Sequence, residues 1–323
     1  MIPALILTAG LGTRLRPLSY IRAKGALPVA GEPLARRILR GLHEAGVRDA
    51  VLNLHHLPHT ITGAIGDGSD IGMRIRYSWE MPILGSAGGP RRALPLLSNR
   101  GADNARSAGE SFLIVNGDTL TDVNIAALVD DHRSSGALVT MAVIANTEPE
   151  KYSGVAADAE GRFTGFVPRG SSERSFHFVG VQVAEPLAFA SIPPDRPYEV
   201  RTLYPALREA QAGAIRLFRT TAEFLDLGTP ADYLSTALAV AERDHARGVG
   251  GARSQIAADA RIERSVLWDD VVIGRGALLK ECVVADHVVV PSDTSWHGVT
   301  LRVPAGELAP GERVIEGLAV CPL

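Results

Sequence analysis

A glycine-rich turn near the start of the sequence is followed by three basic residues. The turn spans residues 9–13, AGLGT, and Arg14, Arg16 and Lys24 come after it. Glycine lacks a side chain, so the backbone N–H groups of such a turn can close around an anion. The pattern predicts a phosphate cradle. A glycine pair without the basic residues would mark an ordinary strand-to-loop turn equally well.

Two aspartates further along the chain are candidates for ligand binding or catalysis at the same site. Asp118 comes directly after the apolar run FLIVN and Gly117, and Asp226 lies in EFLDLGTPADY just before a predicted helix. An acid at the carboxyl end of a parallel strand often contacts a ligand. The alternatives are that Asp118 begins the turn before the next helix and that Asp226 is a solvated loop charge.

The elements around the cradle predict a parallel sheet. An apolar strand, Ala4–Leu7, leads into the turn, a helix opens at Pro33 and stops at Gly46, and a second strand follows at Ala50–Leu54. This βαβ order places a ligand site beyond the carboxyl ends of the strands, where the cradle lies. Further strands are predicted at 73–79, 111–116, 137–144, 176–183 and 214–219, and further helices at 58–65, from Pro90, up to Ser135, and at 202–211 and 231–243. We therefore predict an α/β fold with a Rossmann-like, mostly parallel sheet and helices on both faces.

These motifs together resemble a known family. GLGTRLRPLS, followed by K-x-x-LPV and G-x-PL, is similar to the signature of sugar-1-phosphate nucleotidylyltransferases, the pyrophosphorylases that make nucleotide sugars. LGSAG at 84–88 matches a segment that faces the nucleotide base in that family, and D-x-G-T-P matches the context of a metal-binding aspartate. The resemblance covers roughly residues 2–240 and implies a glycosyltransferase-A-like domain.

The resemblance implies a role for each motif. Arg14 would stabilise charge on the leaving pyrophosphate, and Lys24 would bridge the reacting phosphates. Asp118 and Asp226 would hold Mg²⁺, an ion that rarely has an all-protein cage. The implied nucleotide-binding residues are Ala9, Gly10, Gly12, Thr13, Arg14, Glu80 and Gly85, and the implied sugar-phosphate-binding residues are Gly154, Arg169 and Gly180.

Two positions depart from the family pattern. The family's EKP triplet corresponds best to Pro168-Arg169-Gly170, so the glutamate that would contact a sugar hydroxyl is absent. Arg169 can still bind phosphate, bidentately where lysine would act as a point charge. Lys24 is flanked by Ala23 and Gly25, where the family usually has prolines.

The C-terminal region carries a different repeat. Aliphatic residues recur about every six positions, with one slip: Ile256, Ile262, Val266, Val272, Leu278, Val284 and Val290. This spacing is typical of a left-handed parallel β-helix, of which about two coils would fit, and an irregular β-sandwich is the alternative. We predict a nucleotidylyltransferase domain at 1–244, a linker at 245–254 and the β-helix at 255–323. The polar stretch 98–110 is predicted to be an exposed insertion loop.

Composition narrows the possible partners. A formal charge of −3 and a pI near 6.3 argue against a general nucleic-acid or anionic-membrane binder. No apolar run is long enough to span a membrane. Cys282 and Cys321 are too few for a disulfide framework, which favours the cytoplasm. The C-terminal segment VIEGLAVCPL is expected to pack on its own domain or on a neighbouring subunit, and we expect a homo-oligomer formed through the C-terminal domain.

The favoured function is nucleotidyl transfer from a nucleoside triphosphate to a sugar 1-phosphate. Guanylyltransferases for mannose 1-phosphate often carry such a tail, so GTP and mannose 1-phosphate come first. The alternatives are a uridylyl- or thymidylyltransferase acting on glucose 1-phosphate or an amino-sugar 1-phosphate, and a regulatory homologue that binds nucleotide sugars. A β-helix acyltransferase is a distant third, because the hexads are few and His287 and His297 fall at their end.

Overall fold

The computed structural model describes residues 2–97, 111–245 and 251–323, and these form two compact units. Of the described residues, the first unit comprises 2–10, 38–58, 65–97 and 111–225, and the second comprises 11–37, 59–64, 226–245 and 251–323. The second unit thus combines the segment after the glycine turn with the C-terminal region. The domain boundaries predicted at 244 and 255 stay predictions. The predicted insertion loop at 98–110 and residues 246–250 of the predicted linker lie outside the described residues.

A mixed sheet forms the centre of the first unit. In the described part of the chain it has nine strands. They are β1 (Ala4–Leu7), β2 (Asp49–Leu54), β3 (Arg74–Trp79), β4 (Phe112–Asn116), β5 (Val139–Ala145), β6 (Gly154–Ala157), β7 (Phe163–Val167), β8 (Phe176–Ala184) and β9 (Ile215–Arg219). Their order is β7-β6-β8-β4-β1-β2-β3, with β5 paired to β8 and β9 paired to β5.

Four neighbouring strands of the sheet are parallel, as the predicted βαβ order requires. Strands β4, β1, β2 and β3 are parallel neighbours, with Ala4 opposite both Leu113 and Ala50. Strand β8 lies antiparallel to β4, and β6 with β7 forms an antiparallel extension of the sheet beside β8. The carboxyl ends of β1 to β4 therefore lie at one edge of the sheet.

The described residues form six α-helices, of which the last belongs to the second unit. They are α1 (Leu34–Glu44), α2 (Pro58–Ile65), α3 (Gly85–Leu97), α4 (Ile125–Ser135), α5 (Val200–Ala210) and α6 (Pro230–Arg243). Buried side chains of α3 and α5, such as Leu94 and Tyr204, pack with Leu5, Ile114 and Met141 of the sheet. No helix in the described ranges combines the length and the apolar character needed to cross a membrane.

Capping residues mark the N-terminal ends of helices α4 and α6. Asn124 accepts a hydrogen bond from the N–H of Ala127 at 2.9 Å and begins α4. Thr229 and Asp232 form a reciprocal capping box at the start of α6, with Pro230 in its first turn. Each cap is made by residues only three positions apart in sequence.

The C-terminal region forms a parallel β-helix whose coils repeat every 17 residues. Gln255 pairs with Val272, and Val272 pairs with Val289. Its short parallel strands are Gln255–Ile256, Arg261–Glu263, Val266–Leu267, Val272–Ile273, Leu278–Lys280, Val283–Val284, Val289–Val290, Ser295–His297 and Val299–Arg302. Each of the three sheets therefore holds three parallel strands among the described residues, more than the two coils predicted.

The residues buried inside the β-helix differ in part from those of the predicted six-residue repeat. Its buried cluster contains Leu267, Ile273, Leu279, Val284, Val290, Trp296 and Leu301. Three of these residues lie one position later than the predicted Val266, Val272 and Leu278. The buried residues of one coil are separated by six, six and five positions, so one of its three sides has one residue fewer than the other two. Non-glycine residues with positive φ recur at one corner of successive coils, at Arg253 (57°), Asp270 (58°) and His287 (61°). A strict six-residue period could not follow these corners.

The chain ends in a hairpin on the β-helix. Strand Leu318–Pro322 runs antiparallel to Val299–Arg302 and to Arg313–Ile315. Beside it, Arg302 forms a buried ion pair with Glu312, with Nη2 2.7 Å from Oε2. The terminal segment therefore packs on its own domain, the first of the two arrangements predicted.

Candidate active site

The first unit brings several candidate residues to the carboxyl edge of its parallel strands. Ala9 and Gly10 follow β1, Gly117 and Asp118 follow β4, and Glu80 follows β3. The N–H of Gly117 donates to the carbonyl oxygen of Leu7 at 3.0 Å, and a side chain on Gly117 would meet Leu7 and Thr8. The turn that carries Asp118 is thereby packed directly against the start of the glycine turn.

Gly180 of β8 lies beside the same turn. Its φ is +86°, and an added Cβ would lie 2.5 Å from Oγ1 of Thr119 and 3.1 Å from Cβ of Asn116. Glycine is therefore required here for both conformation and space. The sheet thus brings a predicted sugar-phosphate residue next to the turn of Asp118.

A buried hydrogen-bond network connects the glycine turn to the LGSAG segment. The side-chain oxygen of Asn53 accepts hydrogen bonds from the N–H groups of Thr8 (2.6 Å) and Ala9 (3.2 Å). Its amide nitrogen donates to Glu80 Oε1 at 2.7 Å, and Glu80 Oε2 accepts from the N–H of Leu84 at 2.8 Å. Glu80, predicted to lie near the base, is 3% exposed. Both of its carboxylate oxygens hold protein groups in place.

The small residues of LGSAGG are explained by packing. Helix α3 already begins at Gly85 rather than at the predicted Pro90. A Cβ on Gly85, where φ is +75°, would collide with the Glu199 carboxylate, and one on Gly89 would lie 2.6 Å from Glu80 Oε1. Glu199 accepts hydrogen bonds from the backbone and hydroxyl of Ser86 in the first helical turn, where negative charge is favourable.

In the second unit, the signature segment begins with a left-handed glycine. Gly12 has φ +61°, and its carbonyl oxygen accepts hydrogen bonds from Ser19 Oγ at 2.7 Å and from the N–H of Leu15 at 2.9 Å. Of Gly10 and Gly12, only Gly12 has a positive φ. Thr13 and Arg14 follow in a short 3₁₀ turn and are exposed.

The same unit places Arg14 close to Asp226. A Cβ on Gly228 would lie 2.7 Å from Asp226 Oδ2 and 3.4 Å from Arg14 Nη1. The carboxylate and the guanidinium therefore face the same glycine, from positions more than 200 residues apart in sequence. The carbonyl oxygen of Asp226 also accepts a hydrogen bond from Thr236 Oγ1 of α6 at 2.8 Å. Gly228 provides the space in which these two charged groups approach each other.

The surroundings of Lys24 account for one departure from the family pattern. Ala23 is fully buried, and its N–H donates to Thr60 Oγ1 at 3.1 Å. Proline has no N–H and could not make this hydrogen bond. Lys24 then begins a short 3₁₀ turn that ends at Ala26. Alanine at position 23 thus allows a backbone hydrogen bond that proline would remove.

The predicted sugar-side residues lie in the antiparallel part of the first unit. Gly154 is buried, and a Cβ there would collide with Ser175. Arg169 is exposed in the turn after β7, where the N–H of Gly170 donates to the carbonyl oxygen of Pro149 at 2.8 Å. Gly154 and Arg169 therefore differ in exposure: the glycine is fixed by packing, and the arginine is open to solvent.

His177 lies between two aromatic rings in the same region. Its ring centroid is 4.5 Å from that of Tyr152 and 4.4 Å from that of Phe224. Burial lowers the pKa of His177, although the backbone of Ser153 and the charge of Glu148 act in the opposite direction. The lowered pKa favours the neutral form of the His177 ring.

The donor chemistry of the predicted metal residues suits Mg²⁺, although the described residues hold no cluster of three or more His, Cys, Asp or Glu side chains for a metal ion. Asp118 belongs to the first unit and Asp226 to the second, and each contributes a hard carboxylate oxygen. Mg²⁺ is commonly bound through one or two carboxylates together with water and substrate phosphates. Each of these carboxylates is therefore a donor of the kind that this ion takes.

Asn53 and Gly228 are residues that sequence reasoning passed over. Gly228 stands inside the D-x-G-T-P string, so the motif that identified Asp226 already contained it. No motif in the sequence identifies Asn53, because an asparagine near the end of an apolar strand is typical of a turn. Its importance follows from its partners, which lie up to 45 residues away in sequence.

Family models match both parts of the chain. A family model described as nucleotidyl transferase matches residues 3–243, and one described as GlmU-like C-terminal hexapeptide matches residues 233–299. These two matches correspond to the α/β region and the β-helix that the sequence predicts.

Relatives with assigned names cover nearly the whole chain. A mannose-1-phosphate guanylyltransferase of Mycobacterium tuberculosis is 29% identical over 94% of this chain and 82% of its own length. A UTP–glucose-1-phosphate uridylyltransferase of Synechocystis is 24% identical over 98% of this chain and 86% of its own length. Among solved structures, HddC from Yersinia pseudotuberculosis complexed with GMP-PN superposes with a TM-score of 0.62 at 20% identity, covering 74% of this chain and all of that one. This last likeness concerns the fold.

Proposed function

The chain belongs to the nucleotidyl transferase family, and from this premise we propose that it transfers a nucleotidyl group from GTP to mannose 1-phosphate in a Mg²⁺-dependent reaction. The products are GDP-mannose and pyrophosphate. The name of the Mycobacterium tuberculosis relative supports the choice of guanine and mannose. The observation that carries the proposal is the approach of Arg14 and Asp226 around Gly228, because it brings a phosphate-binding cation and a metal-type carboxylate together.

The proposed reaction is a single in-line displacement. A phosphate oxygen of the sugar 1-phosphate attacks the α-phosphorus, the bond to the bridging oxygen breaks, and pyrophosphate leaves with that electron pair. Arg14 stabilises the charge that develops on the leaving pyrophosphate, and Lys24 neutralises charge on the reacting phosphates. Such chemistry depends on positioning and charge neutralisation and needs no covalent intermediate.

The remaining candidates bind and orient the two substrates. Asp118 and Asp226 would hold Mg²⁺, which supplies electrostatic stabilisation of the phosphates when it is bound. Ala9, Gly10, Gly12 and Thr13 would line the triphosphate, while the Asn53–Glu80 pair keeps the glycine turn and the Gly85 segment in register. On the sugar side, Arg169 would bind the phosphate of the acceptor beside Gly154 and Gly180.

A second candidate is uridylyl transfer to glucose 1-phosphate. The Synechocystis relative, which aligns over 98% of this chain, is named for that reaction. The loss of the EKP glutamate at position 168 removes a contact to the sugar, so the sugar specificity rests on other residues of the pocket. Base and sugar are therefore tested independently of each other.

A matrix of substrates tests the proposal. The protein is incubated with Mg²⁺, each of GTP, UTP, ATP and dTTP, and each of mannose, glucose and N-acetylglucosamine 1-phosphates, and pyrophosphate release is followed. We expect the highest kcat/KM with GTP and mannose 1-phosphate. Faster release with UTP and glucose 1-phosphate would establish the second candidate, and binding of nucleotide sugars without any release would identify a regulatory homologue.

A further inference from the structure

Arg22 lies two residues before Lys24 and is held by two aspartates of the β-helix. Its Nε and Nη2 atoms donate to the two oxygens of Asp286 at 2.7 and 2.6 Å, and Nη2 also donates to Asp269 Oδ2 at 2.7 Å. The guanidinium lies 5.4 Å from the centre of the Trp268 ring. A bidentate pair of this kind fixes orientation as well as distance. All of these residues belong to the second unit.

The two aspartates are themselves held by the backbone of the coil. Asp269 Oδ1 accepts a hydrogen bond from the N–H of Ala252 at 2.7 Å, and Asp286 Oδ1 accepts one from the N–H of Asp269 at 3.0 Å. Each aspartate precedes one of the positive-φ corners, at Asp270 and His287. Arg22 is therefore anchored to a rigid part of the β-helix.

A second anchor lies on the other side of Lys24. The hydroxyl of Tyr233 donates to the carbonyl oxygen of Pro28 at 2.6 Å and accepts a hydrogen bond from Trp268 Nε1 at 2.8 Å. Tyr233 and Trp268 are fully buried and meet edge to face. Hydrogen bonds are strong in such surroundings, because water cannot replace either partner. Trp268 thus supports the chain both before and after Lys24.

Between the two anchors the chain has little freedom. Ala23 is held by Thr60, and the N–H of Ala26 donates to the carbonyl oxygen of Ala23 at 2.8 Å. The side chain of lysine is long and flexible, so the position of its ammonium depends first on where the backbone is fixed. A partly buried ion pair contributes little net stability, since desolvation offsets much of its attraction. The main effect of anchoring Arg22 is therefore to fix the position of the neighbouring backbone, and it adds little to the free energy of unfolding.

We propose that Arg22 is a positioning residue for Lys24, and that the β-helix acts through Asp269, Asp286 and Trp268 to hold Lys24 in the nucleotidyl-transfer site. Lys24 takes its role from the proposed function, so the activity readout rests on that function. The C-terminal domain is then a structural part of the catalytic centre, because it fixes the segment that bears the lysine.

The test compares Arg22→Ala, Arg22→Lys, Asp286→Asn and the double variant Arg22→Ala/Asp286→Asn in the full chain. The control is Arg253→Ala, because Arg253 makes an equally short bidentate pair with Asp270 on the same β-helix but has a 68% exposed side chain. We expect kcat to fall about tenfold or more in each Arg22 and Asp286 variant with little change in KM, as misplacement of a catalytic group affects turnover. The control keeps the wild-type kcat.

The double variant and the melting temperature separate positioning from stability. If Arg22 and Asp286 act as a unit, the double variant loses no more kcat than either single variant, whereas independent effects would multiply. Wild-type kcat in Arg22→Ala, or multiplied losses in the double variant, would overturn the proposal. A fall in kcat that tracks a fall in melting temperature across all variants would overturn it as well. Tyr233→Phe, which removes only the bridging hydroxyl, supplies a milder variant with the same expected direction.

Hydrogen–deuterium exchange tests the inference without any substrate. We expect the amides of residues 23–27 to exchange about tenfold faster in Arg22→Ala and Asp286→Asn than in the wild type and in Arg253→Ala, because local opening becomes easier. Unchanged exchange overturns the inference whatever the reaction is. Faster exchange in a protein that proves inactive with every substrate pair supports the inference and contradicts the proposed function alone.

Discussion

The side-chain amide of Asn53 lies 2.7 Å from Glu80 Oε1, and this buried contact joins the ends of two neighbouring parallel strands. Through the same two residues the glycine turn at Thr8 and the LGSAG segment at Leu84 are held in a fixed relation. The loops at the carboxyl ends of these strands are thus held together by two side chains, Asn53 and Glu80, that are each 3% exposed.

Replacement of Asn53 by alanine should destabilise the first unit. The change leaves a buried carboxylate and the N–H of Thr8 without their partner, which costs about 1–3 kcal/mol for such groups. The measurement is the midpoint of urea unfolding, followed by circular dichroism. Thr62→Ala, which removes an exposed hydroxyl at the surface of α2, is the control and should shift the midpoint little. Equal midpoints for Asn53→Ala and the wild type would show that the network is dispensable.

Gly228→Ala should reduce turnover strongly. The added methyl group would lie 2.7 Å from Asp226 Oδ2, so this carboxylate must move, and it would be in contact with Arg14 Nη1 at 3.4 Å. A displacement of about 1 Å at a catalytic group can cost on the order of a hundredfold in rate. Gly41→Ala is the matched control, because Gly41 lies on α1 with no atom near its added Cβ and alanine favours helices. Pyrophosphate release at wild-type rate in Gly228→Ala would argue against the proposed closeness of Arg14 and Asp226 to the reacting phosphates.

Asp226→Asn should abolish Mg²⁺-dependent turnover while leaving the fold intact. The amide keeps the size of the side chain but removes the negative charge that attracts the ion, and we expect a loss of about a hundredfold or more. Chelation by EDTA should stop wild-type turnover, and added Mg²⁺ should restore it. Asp130→Asn, on the exposed face of α4, is the control. Undiminished pyrophosphate release in Asp226→Asn would exclude this residue from the site.

Glu185 should make the first unit sensitive to acid. Hydrogen bonds from His132 and Ser111 hold the pKa of this carboxyl below its ordinary value of 4.5, although partial burial acts in the opposite direction. The stabilisation is therefore complete above that ordinary value and is lost as the pH falls through the lower folded-state pKa.

The variant Glu185→Gln tests this directly. Its urea midpoint should lie below that of the wild type at pH 7, and the difference should narrow as the pH falls below 4.5 and the wild-type carboxyl takes up a proton. A difference that stays constant from neutral to acid pH would mean that the charge of Glu185 contributes nothing.

Features that depend on neighbouring residues could be predicted from the sequence. The strand Ala4–Leu7 and the helix predicted at 231–243 agree with prediction, since their signals lie within a few positions of the element that they define. The early start of α3 could not be predicted, because glycines oppose helix formation and its first turn is stabilised by Glu199, 113 residues from Ser86.

The same reasoning explains what was missed at the site. Asp118 and Asp226 follow recognisable strings, whereas Arg22 is one basic residue among several in its segment. Its partners are 247 and 264 residues away, and nothing near Arg22 indicates them. The 17-residue recurrence of Asp269 and Asp286 shows that both occupy the same corner of successive coils but does not reveal what they bind.

The long sequence separation between Arg22 and Asp286 also has a consequence for synthesis on the ribosome. The segment around Lys24 emerges among the first residues, but the side chains that anchor it emerge only when most of the chain has been made. Contacts of this separation also form late in refolding, because a long loop must close before they contribute. The lysine segment should therefore acquire its final order last, and a chain that is released early should contain an intact sheet without a competent centre.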